Sequence, residues 1–539
     1  MVVNQEGAEK TEGTLARPSG GVSFDTPKTQ APISAQIQNG VDPAIRGDPD
    51  QAIFLPGPSV GARAAAGVAV LTGRTFLLKT ITLGAAILFA RRLEPADFGA
   101  LAVATSMVGL ASFVTDIGLG ASLIQRLPAP SKQELRALMT LQLAVAACCV
   151  LALYGVAPRL GAAGPLLALA APSLVLSTVR APALVVLERS MAFGSVAVID
   201  IAEQVVYYSW SVAGVLLGHG VFAIASAMVV KALVGTVVAF TLSPDGRLLP
   251  GTSVKPIIGH VSYGLRFQAI TAAVMSRAQG TNLTIAAVAG SSTLGYWSFV
   301  LRVFTLPVGL LDSVYRVSYP LMASVRREAE DAAVMVKTIC RWVGFGSAVI
   351  AGGIAGTGTT LVPFVFGHKW DPALPAVLMF ALAWMLLAPV SSAVVGALMV
   401  RGAMAVVSRA VLINAATAVT LIAVTGRSLG IGGVGLAILV GVACEAIVLD
   451  RGCRREFGFS CLAMLVPSLR MFVAIAIAGL AIAHLLPFGG ILATLTTGAG
   501  VIATSAIAVR VCCAEEARII MRGLVRRVRA RGPLGWHGA

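Results

Sequence analysis

Two stretches of the chain decide the fold: FARRLEPADFGALAVATSMVGLASFVTDIGLGASLIQ at Phe89–Gln125 and AVAGSSTLGYWSFVLRVFTLPVGLLDSVYRVSYPLM at Ala287–Met322. Each stretch has a short loop, a glycine where a helix starts, a long apolar span and an aspartate near its far end. When Gly99 is aligned with Gly295, the two aspartates also coincide without a gap. The pattern predicts an internal repeat of six helices, in which the second and eighth helices of the chain are equivalent.

The composition is that of a membrane protein. Of the 539 residues, 57% are hydrophobic and 12% are charged, and the mean hydropathy is +0.86, whereas soluble domains are about a quarter charged. Lipid can serve as the solvent for this much apolar surface. Aromatic residues make up only 6%, so we expect no platform for base stacking and no nucleic-acid partner. The eight cysteines form no C-x-x-C pair, so we expect neither a disulfide framework nor a zinc site.

Apolar runs long enough to cross a bilayer, which takes about 20 residues, begin near Ala64. They predict an all-α integral membrane protein with about fourteen transmembrane helices, or twelve as the alternative. The breaks that divide 194–241 and 407–449 are the least distinct, because each depends on a few glycines and charged residues. The predicted spans are 64–90, 98–122, 135–156, 164–187, 194–217, 220–241, 262–288, 293–321, 340–366, 372–400, 407–425, 431–449, 468–486 and 489–511.

The repeat also predicts the domain organisation. Residues 1–62 are polar and lack apolar periodicity, which indicates a disordered cytoplasmic tail without a signal peptide. Residues 63–242 form an N-lobe of six helices and residues 243–450 a pseudo-symmetric C-lobe of six more. Residues 451–511 carry helices 13 and 14, and residues 512–539 form a basic cytoplasmic tail that contacts anionic lipid.

The positions of lysine and arginine predict the orientation. With the N-terminus in the cytoplasm, the loops after the even-numbered helices and the C-terminal tail carry most of the basic residues, as the positive-inside rule requires. Both termini are therefore expected in the cytoplasm. The loops on the opposite side hold far fewer basic residues, namely Arg91, Arg92, Arg159, Lys369 and Arg427.

Basic residues inside the apolar runs are candidates for substrate binding, because a charge in lipid is costly unless it meets water or a partner. These cations outnumber the acidic residues in the spans, and arginine binds phosphate in a bidentate manner, so we predict a cationic cavity for an anionic substrate. Arg266 and Arg277 share one helix face, although Arg266 could instead extend to the membrane interface. The candidate binding residues are Arg74, Lys79, Arg180, Arg266, Arg277 and Arg302.

Acidic residues in the same spans are candidates for coupling transport to an ion. Asp200 and Glu203 lie three residues apart on one helix face and form the best pair for a coupling cation, either H⁺ or Na⁺. Asp116 and Asp312 are further candidates, with structural pairing to a neighbouring arginine as the alternative. No cofactor and no bound metal are expected.

The sequence lacks the features of an enzyme. It contains no phosphate-binding Walker loop, and no catalytic arrangement of residues lies outside the predicted bilayer. A membrane glycosyltransferase or polymerase usually carries a large polar loop, and here no loop between predicted spans is long enough to fold alone. We therefore predict that the chain is not an enzyme.

Several motifs resemble a known family. The run ARRLEPADFG at Ala90–Gly99 and the following FVTDIGLGASLIQ at Phe113–Gln125 resemble the start of Wzx-type polysaccharide flippases. The run LGYW at Leu294–Trp297, with Arg302 and Leu306-Pro307, is similar to the middle region of that family. The family belongs to the multidrug/oligosaccharidyl-lipid/polysaccharide exporter (MOP) superfamily, and the chain is most similar to its exopolysaccharide branch, of the colanic-acid and succinoglycan type.

The resemblance covers residues from about 64 to 511 and implies two lobes around a central cavity in a bacterial inner membrane. It implies that the substrate is an undecaprenyl-pyrophosphate-linked oligosaccharide moved by alternating access, with Arg74, Lys79, Arg277 and Arg302 as the matching cavity cations. It also implies contact with membrane lipids and with a polysaccharide polymerase and chain-length or export machinery. A lipid II flippase, a drug/cation antiporter and a membrane glycosyltransferase or polymerase remain as alternatives.

Overall fold

The computed structural model describes residues 78, 80–125, 130–243, 246–305, 307–309, 329–485 and 490–530. All of them belong to one compact unit, Val68–Ala539. The predicted tail at 1–62 and the candidates Arg74, Lys79 and Asp312 lie outside the described residues, so the expectations for them stay predictions.

The described helices fall where the sequence predicts spans, and we number them α1–α14 by those spans. The N-lobe contains α1 (80–92), α2 (Pro95–Asp116), α3 (Lys132–Val156), α4 (Ala163–Ala170, Ser173–Val179 and Ala181–Arg189), α5 (Phe193–Leu216) and α6 (Gly220–Leu242). The C-lobe contains α7 (Lys255–Ala289), α8 (Ser291–Val303), α9 (Ala329–Phe366), α10 (Leu374–Val390, Ser391–Val395 and Gly396–Val400), α11 (404–429) and α12 (431–457). The last two helices are α13 (Val466–Leu485) and α14 (Gly490–Ala530).

Within the described residues, eight helices are long and apolar enough to cross a membrane, or nine if the bent α4 counts as one span. This count treats α11 and α12 as one helix, and α8 is described only in part. The chain is therefore a multi-pass, all-α membrane protein, while the number fourteen stays a prediction.

Glycines make both of the least distinct breaks. Gly430 divides Met404–Phe457 with the backbone angles φ 52° and ψ −131°, which a residue with a side chain rarely adopts. The two parts then run antiparallel, because Gly441 faces Asn414 and Gly452 faces Val406. Gly218 (φ 90°) and Gly220 (φ 55°) form the corresponding turn between α5 and α6.

The two lobes touch through a reciprocal pair of glycines. A Cβ atom on Gly99 of α2 would collide with the carbonyl oxygen of Ser291, and one on Gly295 of α8 would collide with that of Pro95. Only glycine allows helix backbones to come this close. Gly99 and Gly295 are the residues that the predicted repeat aligns, so the structure places the two equivalent helices against each other.

Trp370, in the loop between α9 and α10, fills the space beside this glycine contact. Its ring is fully buried, stacks on Phe299 at a centroid distance of 4.4 Å and meets the edge of Phe98 at 5.0 Å. Its indole Nε1 donates a hydrogen bond of 2.9 Å to the carbonyl oxygen of Ala90. One tryptophan therefore joins the end of α1, the first turn of α2 and α8.

Two basic residues from the predicted outer loops strengthen the same junction. Arg91 donates from Nε to the carbonyl oxygen of Val365 at 2.7 Å and from Nη2 to that of Phe364 at 2.8 Å. These carbonyls end α9 and have no partner within the helix. Lys369 Nζ donates to the carbonyl oxygen of Leu93 at 2.7 Å. We call the contacts of Arg91, Gly99, Gly295, Lys369 and Trp370 the lobe seam.

At its other end α2 contacts α7. A Cβ atom on Gly264 would lie 2.6 Å from the carbonyl oxygen of Ile117, and Gln268 Nε2 donates to the carbonyl oxygen of Phe113. Farther along α7, Asn282 Nδ2 donates to Ser106 Oγ at 3.0 Å. Helix α2 is therefore held by the C-lobe along most of its length.

Helix α13 packs on α9 in the same way as the lobes pack on each other. A Cβ atom on Gly479 would lie 2.5 Å from the Cα atom of Gly356. Small residues allow this approach between membrane helices. The two C-terminal helices thus pack beside the C-lobe on α9.

Replacing Gly99 by leucine will force α2 away from α8, because the carbonyl oxygen of Ser291 occupies the space for the new side chain. Overpacking of this kind costs about 1–3 kcal/mol, so the purified variant should unfold at a lower temperature than the wild type. Gly84→Leu is the matched control, since no residue that the structure describes lies within 4 Å of a Cβ atom there. Equal midpoints for the two variants would contradict the glycine contact.

Candidate functional site

A cavity of about 630 Å³ lies inside the C-lobe, between α7, α8, α10, α11 and α12. Ligand pockets typically measure about 300–1,000 Å³. Part of the wall is aromatic, with Trp297, Phe380 and Trp384. The polar part of the wall is formed by Arg277, Thr281, Asn282, Ser391, Ser392, Ser408, Asn414 and Glu445.

A local widening of α10 brings two hydroxyl groups into this wall. Pro389 interrupts the helix because it has no backbone N–H to donate. The next residues, Ser391–Val395, form a π turn, and such turns are frequent at functional sites. Ser391 and Ser392 both line the cavity.

Arg277 and Glu445 form an ion pair in the wall of the cavity. Arg277 Nη1 lies 3.2 Å from Glu445 Oε2, and the side chain of Glu445 is only 6% exposed while that of Arg277 is 33% exposed. Asn414 donates from Nδ2 to the same carboxylate oxygen. Gly441 makes room for this amide, because a Cβ atom there would lie 2.9 Å from Asn414 Oδ1.

The ion pair decides the charge of the cavity. Among the residues that line it in the described part of the chain, Arg277 and Glu445 are the ionisable ones, so their charges cancel. Arg277 lies at this cavity, where Glu445 neutralises its charge, and its predicted role in substrate binding stays a prediction. Three other predicted cations, Arg74, Lys79 and Arg266, are not placed by the structure. The first two lie outside the described residues, as does the side chain of Arg266.

A second polar cluster lies in the N-lobe. Arg180, at the junction between two parts of α4, contacts the carboxylate of Glu203 on α5. Lys231 of α6 places Nζ 3.7 Å from Glu203 Oε2 and 6.0 Å from the ring centre of Tyr207. Asp200, one turn before Glu203, interacts electrostatically with both cations. The predicted acidic pair therefore faces two basic residues, and its role in ion coupling stays a prediction.

The two clusters occupy equivalent places in the repeat. Glu203 lies ten residues after Phe193, where α5 begins, and Asn414 lies ten residues after Met404, where α11 begins (203 − 193 and 414 − 404). Each side chain packs against a glycine of the next helix, Gly235 for Glu203 and Gly441 for Asn414. The two lobes thus have a similar arrangement, in which a polar residue of the fifth helix packs against a glycine of the sixth. The carboxylate of the cluster lies on α5 in the N-lobe and on α12 in the C-lobe.

The remaining candidates lie elsewhere. The guanidinium of Arg302 sits 4.9 Å from the ring centre of Phe98, at the boundary between α8 and α2 and not in the wall of the C-lobe cavity. Asp116 ends α2, and its carbonyl oxygen accepts a hydrogen bond of 3.0 Å from Gln142 Nε2. The structure therefore separates the predicted set into a cavity residue, an N-lobe cluster and two residues of the α2 interface.

Several cavity residues were missed by reasoning from charge alone. Asn414 and the serines after Pro389 are uncharged. Trp297 and Trp384 cannot be distinguished by sequence from other apolar residues of a membrane span. A usable signal was present for some of them, because amide and hydroxyl residues in long apolar runs need polar partners just as charges do.

Replacing Glu445 by leucine will leave Arg277 without its partner in a mostly buried position, which destabilises the fold. Replacing both by leucine should restore part of the loss. In a double-mutant cycle of thermal unfolding we expect a coupling free energy of about 0.5–3 kcal/mol. If the effects of Glu445→Leu and Arg277→Leu simply add, the two residues do not interact.

The fold is shared with solved transporters. The lipid II flippase MurJ in an inward closed conformation superposes with a TM-score of 0.65 and 15% identity, over 83% of this chain and 100% of that chain. An inward-facing multidrug resistance MATE family transporter of the MOP superfamily superposes with a TM-score of 0.53 and 13% identity, over 72% of this chain and 95% of that one. The likeness shows the fold, which is the superfamily fold predicted from the sequence.

Sequence comparison identifies the family. The lipopolysaccharide biosynthesis protein WzxC of Escherichia coli (strain K12) is 24% identical over 298 residues, which cover 53% of this chain and 60% of that protein. The match therefore spans less than two thirds of this relative. The sequence profile of a family described as Polysaccharide biosynthesis protein matches residues 88–375, just over half of the 539 residues. The chain belongs to this polysaccharide biosynthesis protein family.

Proposed function

We propose that the protein is a flippase that carries an undecaprenyl-pyrophosphate-linked oligosaccharide across a bacterial inner membrane, for exopolysaccharide or surface polysaccharide synthesis. The observation that supports this most directly is a cavity of about 630 Å³ with an ion pair in its wall inside a transporter fold, in a chain of the polysaccharide biosynthesis family. A membrane enzyme would need catalytic groups in contact with water, whereas a carrier needs a cavity between movable parts.

Transport would proceed by opening the lobes at one end at a time. The lobe seam is suited to such a movement, because Arg91 and Lys369 donate to backbone carbonyl oxygens. When the seam opens, water can hydrogen-bond both to these side chains and to the carbonyl oxygens that they leave. By the positive-inside rule the seam would face the outside, and the contact of Gly264 with the carbonyl oxygen of Ile117 would face the cytoplasm. Alternate release of these two contacts would expose the substrate to each side in turn.

The substrate would be held by two kinds of group. Its pyrophosphate would bind the predicted cations Arg74, Lys79 and Arg266, since arginine binds phosphate oxygens in a bidentate manner. Coupling to H⁺ or Na⁺ would involve one of the acidic candidates Asp116, Asp200, Glu203 and Asp312. A polysaccharide polymerase with its chain-length or export machinery would then receive the sugar units outside.

The proposal is tested in a strain that lacks the gene. We expect extracellular polymer to disappear and the lipid-linked repeat to accumulate in the cytoplasmic leaflet, both restored by the wild-type gene. Arg277→Ala should restore less than a tenth of the polymer although the protein is inserted, because the variant leaves Glu445 unpaired at the cavity.

Arg159→Ala is the matched control for Arg277→Ala. Its guanidinium donates to the carbonyl oxygen of Gly155 one turn earlier, away from both the cavity and the seam, so this variant should restore polymer fully. Unchanged polymer and unchanged lipid-linked intermediates in the deletion strain would contradict the flippase function.

A further inference from the structure

We propose that the C-lobe cavity is a subsite for an uncharged sugar ring of the cargo. This inference rests on the proposed flippase function and assigns the sugar and the pyrophosphate to different places. The sugar would lie against Trp384 and Trp297 and would exchange hydrogen bonds with the network of Arg277, Asn414 and Glu445.

The charge of the cavity favours a sugar over a phosphate. A pyrophosphate could use Arg277 only by drawing it away from Glu445, and a carboxylate that is 6% exposed would then lose its cationic partner beside a second anion. Leaving a buried charge unpaired is strongly unfavourable. Sugar hydroxyl groups both donate and accept hydrogen bonds, so they can join the network of Arg277, Asn414 and Glu445 without breaking the ion pair.

The aromatic wall gives the other side of a sugar ring an apolar contact, formed by the small parts of Trp297 and Trp384 that stay exposed, 4% and 8% of each residue. A pyranose carries C–H groups on its faces, and these pack against flat aromatic surfaces. Trp297 meets Phe380 edge-on at 5.4 Å, and Phe304 lies 4.8 Å from Phe380 and 6.0 Å from Trp384. The rings hold one another in place, so little side-chain freedom is lost when a ligand binds.

The aromatic part and the polar part of the cavity wall together have the composition of a ligand site. Aromatic and apolar side chains line most of the cavity, and a small number of polar groups converge on it, which is the usual composition of pockets that bind small molecules. Ser391 and Ser408 add hydroxyl groups from α10 and α11. A cavity of about 630 Å³ has room for a sugar ring.

One cavity residue also contacts the other lobe. Asn282 lines the cavity and donates to Ser106 Oγ of α2 at 3.0 Å. The amide nitrogen of Asn282 has two N–H donors, so a sugar hydroxyl group would accept from one while the other stays on Ser106 Oγ. Asn282 would then contact both the sugar and α2, and it would place the sugar next to the boundary between the lobes.

The test uses the purified full-length protein in lipid nanodiscs without lipid-linked substrate. Neutral methyl glycosides and disaccharides are added at millimolar concentration, and binding is measured by saturation-transfer difference NMR. We expect a signal for at least one sugar with the wild type and a signal at least fivefold weaker with Trp384→Leu. Ser408→Phe, which fills the cavity from α11 without touching the ion pair, should have the same effect.

Trp210→Leu is the matched control. Trp210 lies on α5, is about half exposed and bonds to Ser226, outside the C-lobe cavity, so its sugar signal should equal that of the wild type. The inference is overturned if no sugar binds the wild type, if both cavity variants bind as the wild type does, or if inorganic pyrophosphate displaces the sugar.

The same variants separate this inference from the function on which it rests. If Trp384→Leu and Ser408→Phe restore full polymer in the deletion strain, the flippase function stands and the sugar subsite is wrong. If the deletion strain itself shows no change in lipid-linked intermediates, the flippase function is wrong whatever the cavity binds.

Discussion

The close backbone contact between Gly99 and Gly295 positions the other contacts between the two lobes. It brings the first turns of α2 and α8 together without intervening side chains, and so fixes where the two lobes meet. Trp370 can then reach the carbonyl oxygen of Ala90, and Arg91 can cap the end of α9. The same placement lets α7 run along α2, with Asn282 bonded to Ser106.

The two lobes have a similar polar contact between their fifth and sixth helices, but its surroundings differ. In each lobe a polar residue at the same position of the fifth helix packs against a glycine of the sixth. In the N-lobe this residue is Glu203, which lies between the cations Arg180 and Lys231. In the C-lobe it is Asn414, and the carboxylate is that of Glu445, beside a cavity that the π turn of α10 also lines. The repeat thus carries an ion-pair cluster in both lobes, and in the C-lobe this cluster lines a cavity.

Much of the fold could be predicted because it depends on local sequence features. Apolar length gives the spans, and glycines that adopt positive φ, such as Gly220 and Gly430, mark the turns between them. The repeat could also be predicted, because Gly99 and Gly295 serve the same steric need in both halves. The domain boundaries and the orientation in the membrane stay predictions.

The site could be predicted less well from the sequence, because it depends on which faces of the helices contact each other. Charge alone placed Arg180, Arg277 and Arg302 in one cavity, whereas the structure assigns them to an N-lobe cluster, the C-lobe cavity and the α2 interface respectively. The partner of each arginine lies on another helix, and helical periodicity does not give the crossing of two helices. The neutral residue Asn414 carries no charge signal at all, although it bonds to the buried carboxylate of Glu445.

The proposed function requires that this protein alone moves a lipid-linked sugar across a bilayer. The most direct measurement reconstitutes the purified protein into vesicles that contain a fluorescent polyprenyl-pyrophosphate oligosaccharide, and follows how fast an enzyme or quencher outside gains access to the inner-leaflet pool. If the protein is a flippase, the inner-leaflet pool becomes accessible much faster than in protein-free vesicles, and more slowly when Ser408→Phe fills the cavity. A rate equal to that of protein-free vesicles would contradict the proposed function.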